Sequence, residues 1–368
     1  MRGLAFLLCL VACAADDVVG LVRSDAADLG SVDGQVEPVP GCDADEDLIR
    51  VDDSSCGTGP RFSMCVCGPS VFGQGLRTRA SAAFLGRLTS EATVEIGGGL
   101  YAAGLGLSGT ASANADRIVL QDDLQADGEV MAATGIVVDG DVRAARLAAP
   151  DGLIVSPNQI VDVAVLQAEV RERMLSLESP CECSARFLDF GRATAVSELE
   201  SRADPSPFQL PCGALTAGRV DAPNGASWSV PGWTQLFVEG DVAIQGSFDV
   251  VVGPDGHLDL VIGGTLVGAG TLRLGEEEGQ VDVQVRGEGT VQLSSGGWVS
   301  GHFDAPRAEL VVSAPFEVGG VLRARSVSAS ALVVAAGSPA FTPSESGCGE
   351  GLDCCPPETC RSARCTSD

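Results

Sequence analysis

Few side chains in this sequence can do covalent or acid-base chemistry. All 23 basic residues are arginine. Without lysine there is no Schiff base, no phosphate-loop lysine and no Ser-Lys pair. The two histidines, His257 and His302, each follow a glycine, and neither HExxH nor GxSxG occurs. Asp122-Asp123 is the paired-carboxylate candidate, but adjacent residues on a strand point to opposite faces, so the two do not converge without a bulge. Asp43-x-Asp45-x-Asp47 has the first three ligand positions of a calcium loop. Leu48 stands where that loop needs glycine, and Ser54 where it needs a bidentate glutamate. No acid-base pair sits at productive spacing, so an enzyme is not expected. Trp228 and Trp233, five apart in NGASWSVPGWTQ, are the candidate glycan contacts.

The cysteines say more. Arg2 precedes an apolar run, Leu4 to Val11, that is too short to span a bilayer as a helix and fits a signal peptide. It ends in Leu10-Val11-Ala12-Cys13, which resembles a bacterial lipobox. That resemblance implies a signal peptide over residues 1–12 and lipidation of Cys13 as the first mature residue. Ala14, rather than an aspartate, then implies the outer membrane. The competing reading is ordinary cleavage after Ala14 or Ala15, with Cys13 discarded. Beyond Cys9 and Cys13, twelve cysteines form three groups: Cys42, Cys56, Cys65 and Cys67; Cys181, Cys183 and Cys212; Cys348, Cys354, Cys355, Cys360 and Cys365. An even number in an exported chain points to disulfides. Zinc is not expected, because Cys65-x-Cys67 and Cys181-x-Cys183 lack both CxxC spacing and a neighbouring histidine. Neither a metal nor a cofactor is predicted. Closure of Cys-x-Cys on itself is strained, so Cys212 is expected to join Cys181 or Cys183, and the third member to reach a terminal group.

Composition narrows the partners. A net charge of −27 argues against nucleic acid and against electrostatic docking on anionic lipid. Ala14 to Ser55 holds twelve acidic residues against two basic. Residues 13–55 are therefore expected to be an acidic disordered tether.

The elements that must carry all this repeat. Asp127-Gly128, Asp139-Gly140 and Asp151-Gly152 are twelve apart. The unit Gly-x-apolar-x-Ala recurs at Gly98, Gly128, Gly140, Gly218, Gly301 and Gly320, ending in Ala102, Ala132, Ala144, Ala222, Ala305 and Ala324. Self-similarity at a short fixed period signals a solenoid. Glycines six apart suit three faces of about six residues per coil. The prediction is a mainly β fold, a right-handed parallel β-helix, with glycine at corners and small alanines in a narrow bore. A β-sandwich is the competitor, since Asp-Gly is also a strong hairpin signal. Alternation is clearest at Val281, Val283 and Val285, with Asp282 and Gln284 outward.

Residues 92–340 are assigned to the β-helix and 56–91 to a cysteine-containing N-terminal cap, with a short amphipathic helix over Phe72 to Thr89. Within 160–178, Val163, Leu166, Val170, Met174 and Leu177 fall three or four apart, which predicts one amphipathic helix packed alongside the solenoid. Residues 181–212 read as an irregular insertion, and 341–368 as a disulfide-rich tail too short to supply its own core.

The Cys-x-Cys at Cys181, LPCG at Leu210 to Gly213, LFVEGDV at Leu236 to Val242, HLDLVIGGTL at His257 to Leu266 and GHFDAPRAELVV at Gly301 to Val312 carry a resemblance. The chain resembles the choice-of-anchor A type of bacterial surface protein, in a version common in myxobacterial lipoproteins with cysteine-rich ends. Its coils also resemble bactofilins, from whose cytosolic habit the signal and cysteines depart. The resemblance implies a β-helix held at the cell envelope by whichever anchor the chain provides, here a lipid, and implies no catalytic site. The expectation is an exported, lipid-anchored outer-membrane protein, surface-facing or periplasmic, acting as a structural or adhesive display element toward a glycan or envelope protein. The alternative is a polysaccharide-active or glycan-binding β-helix protein.

Overall fold

In the inward positions of the repeat, the apolar residue and the alanine are both buried in all six copies, from Leu100 and Ala102 to Leu322 and Ala324. A computed structural model describes residues 62–177, 181, 193–199, 207–254, 256–277 and 280–336, together with strands Thr359–Arg361 and Arg364–Thr366; all lie in the unit Val36–Asp368. The chain forms a parallel β-solenoid of about 13 turns. Three runs of stacked strands line one apolar bore. The sandwich reading fails because every pairing within the stack is parallel; among the described residues the one antiparallel pair, Thr359–Arg361 with Arg364–Thr366, is a separate ribbon that sets Cys360 opposite Cys365 in register.

Coil length differs between the two halves. In the first half, Ala82, Leu100, Ile118 and Ile136 are successive partners, in steps of 18 residues, three faces of six. In the second, Leu215, Leu236, Leu260 and Val283 are partners in steps of 21, 24 and 23. Longer coils need longer corners, and the bore stays filled because the inward alternation is kept.

The stacking order is not the chain order. Phe62–Val66 lies between Leu322–Ala329 and Ser81–Ser90, and Leu76–Thr78 lies between Val333–Ala335 and Val94–Leu107. The amide N–H of Cys67, Gly73 and Arg79 donates to the carbonyls of Ala324, Ala329 and Ala335 at 3.0, 2.7 and 3.2 Å. The stack therefore begins with Thr194–Ala195 on Gly213–Ala217, runs from 208 to 335 and continues from 62 to 172, so residues 62 and 336 meet in its middle. An open coil exposes bore and unpaired strand edge. Joining the last coil to the first covers two such ends at once. Residues 62–90 are consequently interior coils rather than a cap, and the helix expected over Phe72 to Thr89 is strands Ser70–Phe72, Leu76–Thr78 and Ser81–Ser90. A circular permutant with 336 linked to 62 and new termini between 199 and 207 is expected to keep the parent's far-UV circular dichroism and melt within a few degrees of it. A collapsed spectrum would contradict this order.

The two outer ends differ. At one, the 3-10 turn Ser197–Leu199 and the residues before Gly213 put Val196, Leu199 and Leu210 into the core. At the other, the segment expected to be an amphipathic helix over 160–178 is instead the last coil. Val161–Gln167 pairs with Val142–Ala148, and Val170–Glu172 with Leu153–Val155. Among the described residues Ser197–Leu199 is the one helical turn. Val161, Val163 and Val165 also alternate with period two, and the open edge of the preceding coil supplies backbone partners that a surface helix would forgo. Met174, assigned to the apolar stripe, is 79% exposed.

Candidate functional site

Outward side chains on the face built from Trp233–Val238, His257–Ile262 and Val281–Val285 are set by the same alternation that fills the bore. Leu258, Leu260 and Ile262 point in, so His257 and Asp259 point out. Val281, Val283 and Val285 point in, so Asp282 points out, as the sequence predicts. Strand register then places Trp233 beside His257, and Gln235 beside Asp259 beside Asp282.

The result is a polar cluster. His257 Nε2 lies 3.0 Å from Asp259 Oδ1 and 3.6 Å from Asp282 Oδ2, with the three side chains 14%, 17% and 25% exposed. The Trp233 and His257 rings are 4.7 Å apart, tilted by 36°. Gln235 Nε2 donates to Asp259 Oδ2 at 3.2 Å, and the His302 amide donates to Asp282 Oδ1 at 2.6 Å. Burial alone would push the Asp259 carboxyl up. That is the largest single effect, but the His257 charge, the hydrogen bonds from His257 and Gln235 and a smaller contribution from Trp233 together outweigh it, and the carboxyl is held below the ordinary aspartate range.

The other sequence candidates fall into structural roles. His302 Nδ1 accepts the Val321 amide at 2.8 Å, tying one coil to the next. Asp122 and Asp123 sit at a corner and do not converge on a site; Asp123 Oδ1 accepts the Asp141 amide at 2.9 Å. Asp141 and Asp241 repeat that bond to the amides of Ile160 and Thr265, so corner aspartates staple successive coils. Trp228 is 2% exposed and packs edge-on against Phe248 in the core, so it offers no face to a glycan. The pair of exposed tryptophans expected from the sequence is thus reduced to Trp233, which stands over His257.

Cys65 and Cys181 form a disulfide with Cα atoms 6.0 Å apart. Of the two partners expected for Cys212, this removes Cys181, which instead joins the middle cysteine group to the N-terminal one. Cys67 and Cys212 are each in a disulfide as well. Cys13, Cys42, Cys56, Cys183, Cys348, Cys354 and Cys355 lie outside the described residues, as do the stretches expected to be a signal peptide and an acidic tether.

The sequence reading treats His257 and Trp233 separately and gives Asp259 no role. His257-x-Asp259, two apart at the start of a strand, is the signal that was available. No protein-family model, curated protein or solved structure matches the chain.

Proposed function

We propose that the chain is an exported, lipid-anchored protein of the bacterial envelope whose β-solenoid is a non-catalytic structural or display element, akin to the choice-of-anchor A surface proteins. The observation that carries this reading is the solenoid itself. An uninterrupted apolar bore makes it stiff, and its central coil is tied by the Cys65–Cys181 disulfide. A disulfide of this kind supports an oxidising compartment. Cys13, directly after the apolar run, supplies the anchor, and the acidic stretch after it holds the solenoid off the membrane. The partners follow from this placement: the membrane through lipid, and a glycan or another envelope protein on the outer faces, with no nucleic acid. The corner aspartates and His302 support the absence of catalysis, since each holds the backbone of an adjacent coil.

The test is fractionation and protease treatment of intact cells. The native protein is expected in the outer membrane and, if displayed, digested without lysis. Cys13→Ala is expected to leave the membrane fraction almost completely. A Cys13→Ala protein that stayed membrane-bound would remove the lipid from the proposal.

A further inference from the structure

The cluster at His257 has a geometry that neither the solenoid nor its anchoring requires. One imidazole nitrogen and one oxygen from each of two carboxylates all lie within 4.8 Å of one another. Around a single ion with bonds of about 2.0–2.2 Å, octahedral or tetrahedral donors stand about 3.0–3.5 Å apart. The separations of 3.0 and 3.6 Å from His257 Nε2 fall close to that range.

The outer contacts point the same way. Each carboxylate has its second oxygen held by a donor outside the trio, Asp259 by the Gln235 amide and Asp282 by the His302 backbone. The remaining oxygens, Asp259 Oδ1 and Asp282 Oδ2, both turn to the same nitrogen. The Trp233 ring packs against the imidazole at a tilt of 36°. Supporting contacts that orient one atom of each ligand are the usual outer shell of a metal centre. Asp259 and Asp282 are direct partners across two parallel strands, so the backbone itself sets their spacing.

We propose that His257, Asp259 and Asp282 bind one divalent first-row metal ion on the outer face of the solenoid. A mixed nitrogen and carboxylate set suits zinc or manganese, whereas calcium and magnesium favour all-oxygen sets. The three side chains are partly exposed, which leaves coordination positions for water or for an oxygen-rich ligand. The ion bridges the coils of His257–Ile262 and Val281–Val285, so binding also stabilises the fold.

The oxidised full chain, stripped with chelator and dialysed, is titrated with zinc by calorimetry. One equivalent is expected that is absent from His257→Ala and Asp282→Asn, and Gln235→Ala is expected to weaken it by about 10–100-fold. Cobalt in place of zinc is expected to give a visible ligand-field absorption in the native protein that Asp282→Asn lacks. Circular dichroism in chelator establishes that each variant is folded; should His257→Ala not fold, the near-isosteric Asp282→Asn carries the comparison. Equal stoichiometry and affinity in the native and Asp282→Asn proteins would overturn the site, as would native binding weaker than about 100 μM.

Discussion

Met64→Asp is expected to cost at least about 4 kcal/mol and to unfold the solenoid from its middle, because it leaves a buried carboxylate without a partner. Met64 is fully buried, with Leu322 on one side of it in register and Ala82 on the other. Its coil is the one layer that joins the half ending at 336 to the half beginning at 62. In a solenoid each coil contacts only its neighbours, so stability is close to a sum of coil and interface terms. A defect in an end coil loses one interface; a defect here uncouples two halves. The control is Leu166→Asp in the last coil, where the side chain is already 37% exposed; it is expected to cost about 1 kcal/mol or less. Denaturant titration with disulfides intact reads both. The Met64→Asp curve is expected to split into two steps, one for each half. Equal losses from the two substitutions would mean that 62–78 is not the junction.

The sequence makes the coil legible and the order of coils illegible, for one physical reason. Inward Val130 and Ala132, or Val142 and Ala144, announce their orientation because alternation is a property of a single strand. Which coil lies above which is a property of two surfaces, and all coils here present similar apolar and hydrogen-bonding edges. Nothing in Phe62–Val66 distinguishes Leu322–Ala329 from any other strand as its neighbour. The segment after Ile160 fails differently. Val163, Leu166 and Val170 fit a helical stripe, while Val161, Val163 and Val165 fit a strand, and the open edge of Val142–Ala148 decides. The cluster at His257 was half visible. His257-x-Asp259 puts two side chains on one face of one strand, but Asp282 joins them only through a register step of 23 residues, between neighbouring steps that differ from it. A variable coil length hides such a partner until the stack is known.

Gly128→Ala is expected to cost about 2–4 kcal/mol, although alanine is otherwise the milder residue for a strand. A Cβ at this position would lie 2.0 Å from the carbonyl oxygen of Ala111 in the preceding coil. Gly128 sits where the register slips between Ala126 and Glu129, at the bend of Leu124–Ala132, and its φ is not in the left-handed region. Glycine is therefore required by the closeness of the neighbouring backbone rather than by a special conformation. Relief would mean widening a coil spacing of about 4.8 Å that hydrogen bonds fix along all three faces. Gly73→Ala is the matched control, since its Cβ would meet the Ala329 oxygen at 3.5 Å, an ordinary contact. That substitution is expected to fall within about 1 kcal/mol of the parent, with lower chain entropy in the unfolded state working in its favour. Thermal melts of the two variants separate the explanations. A large loss at Gly128 with none at Gly73 makes corner glycines a steric condition for stacking. Equal small changes would mean that the corners yield, and that the recurrence of glycine at Gly98, Gly128, Gly140, Gly218, Gly301 and Gly320 reflects something other than the spacing of coils.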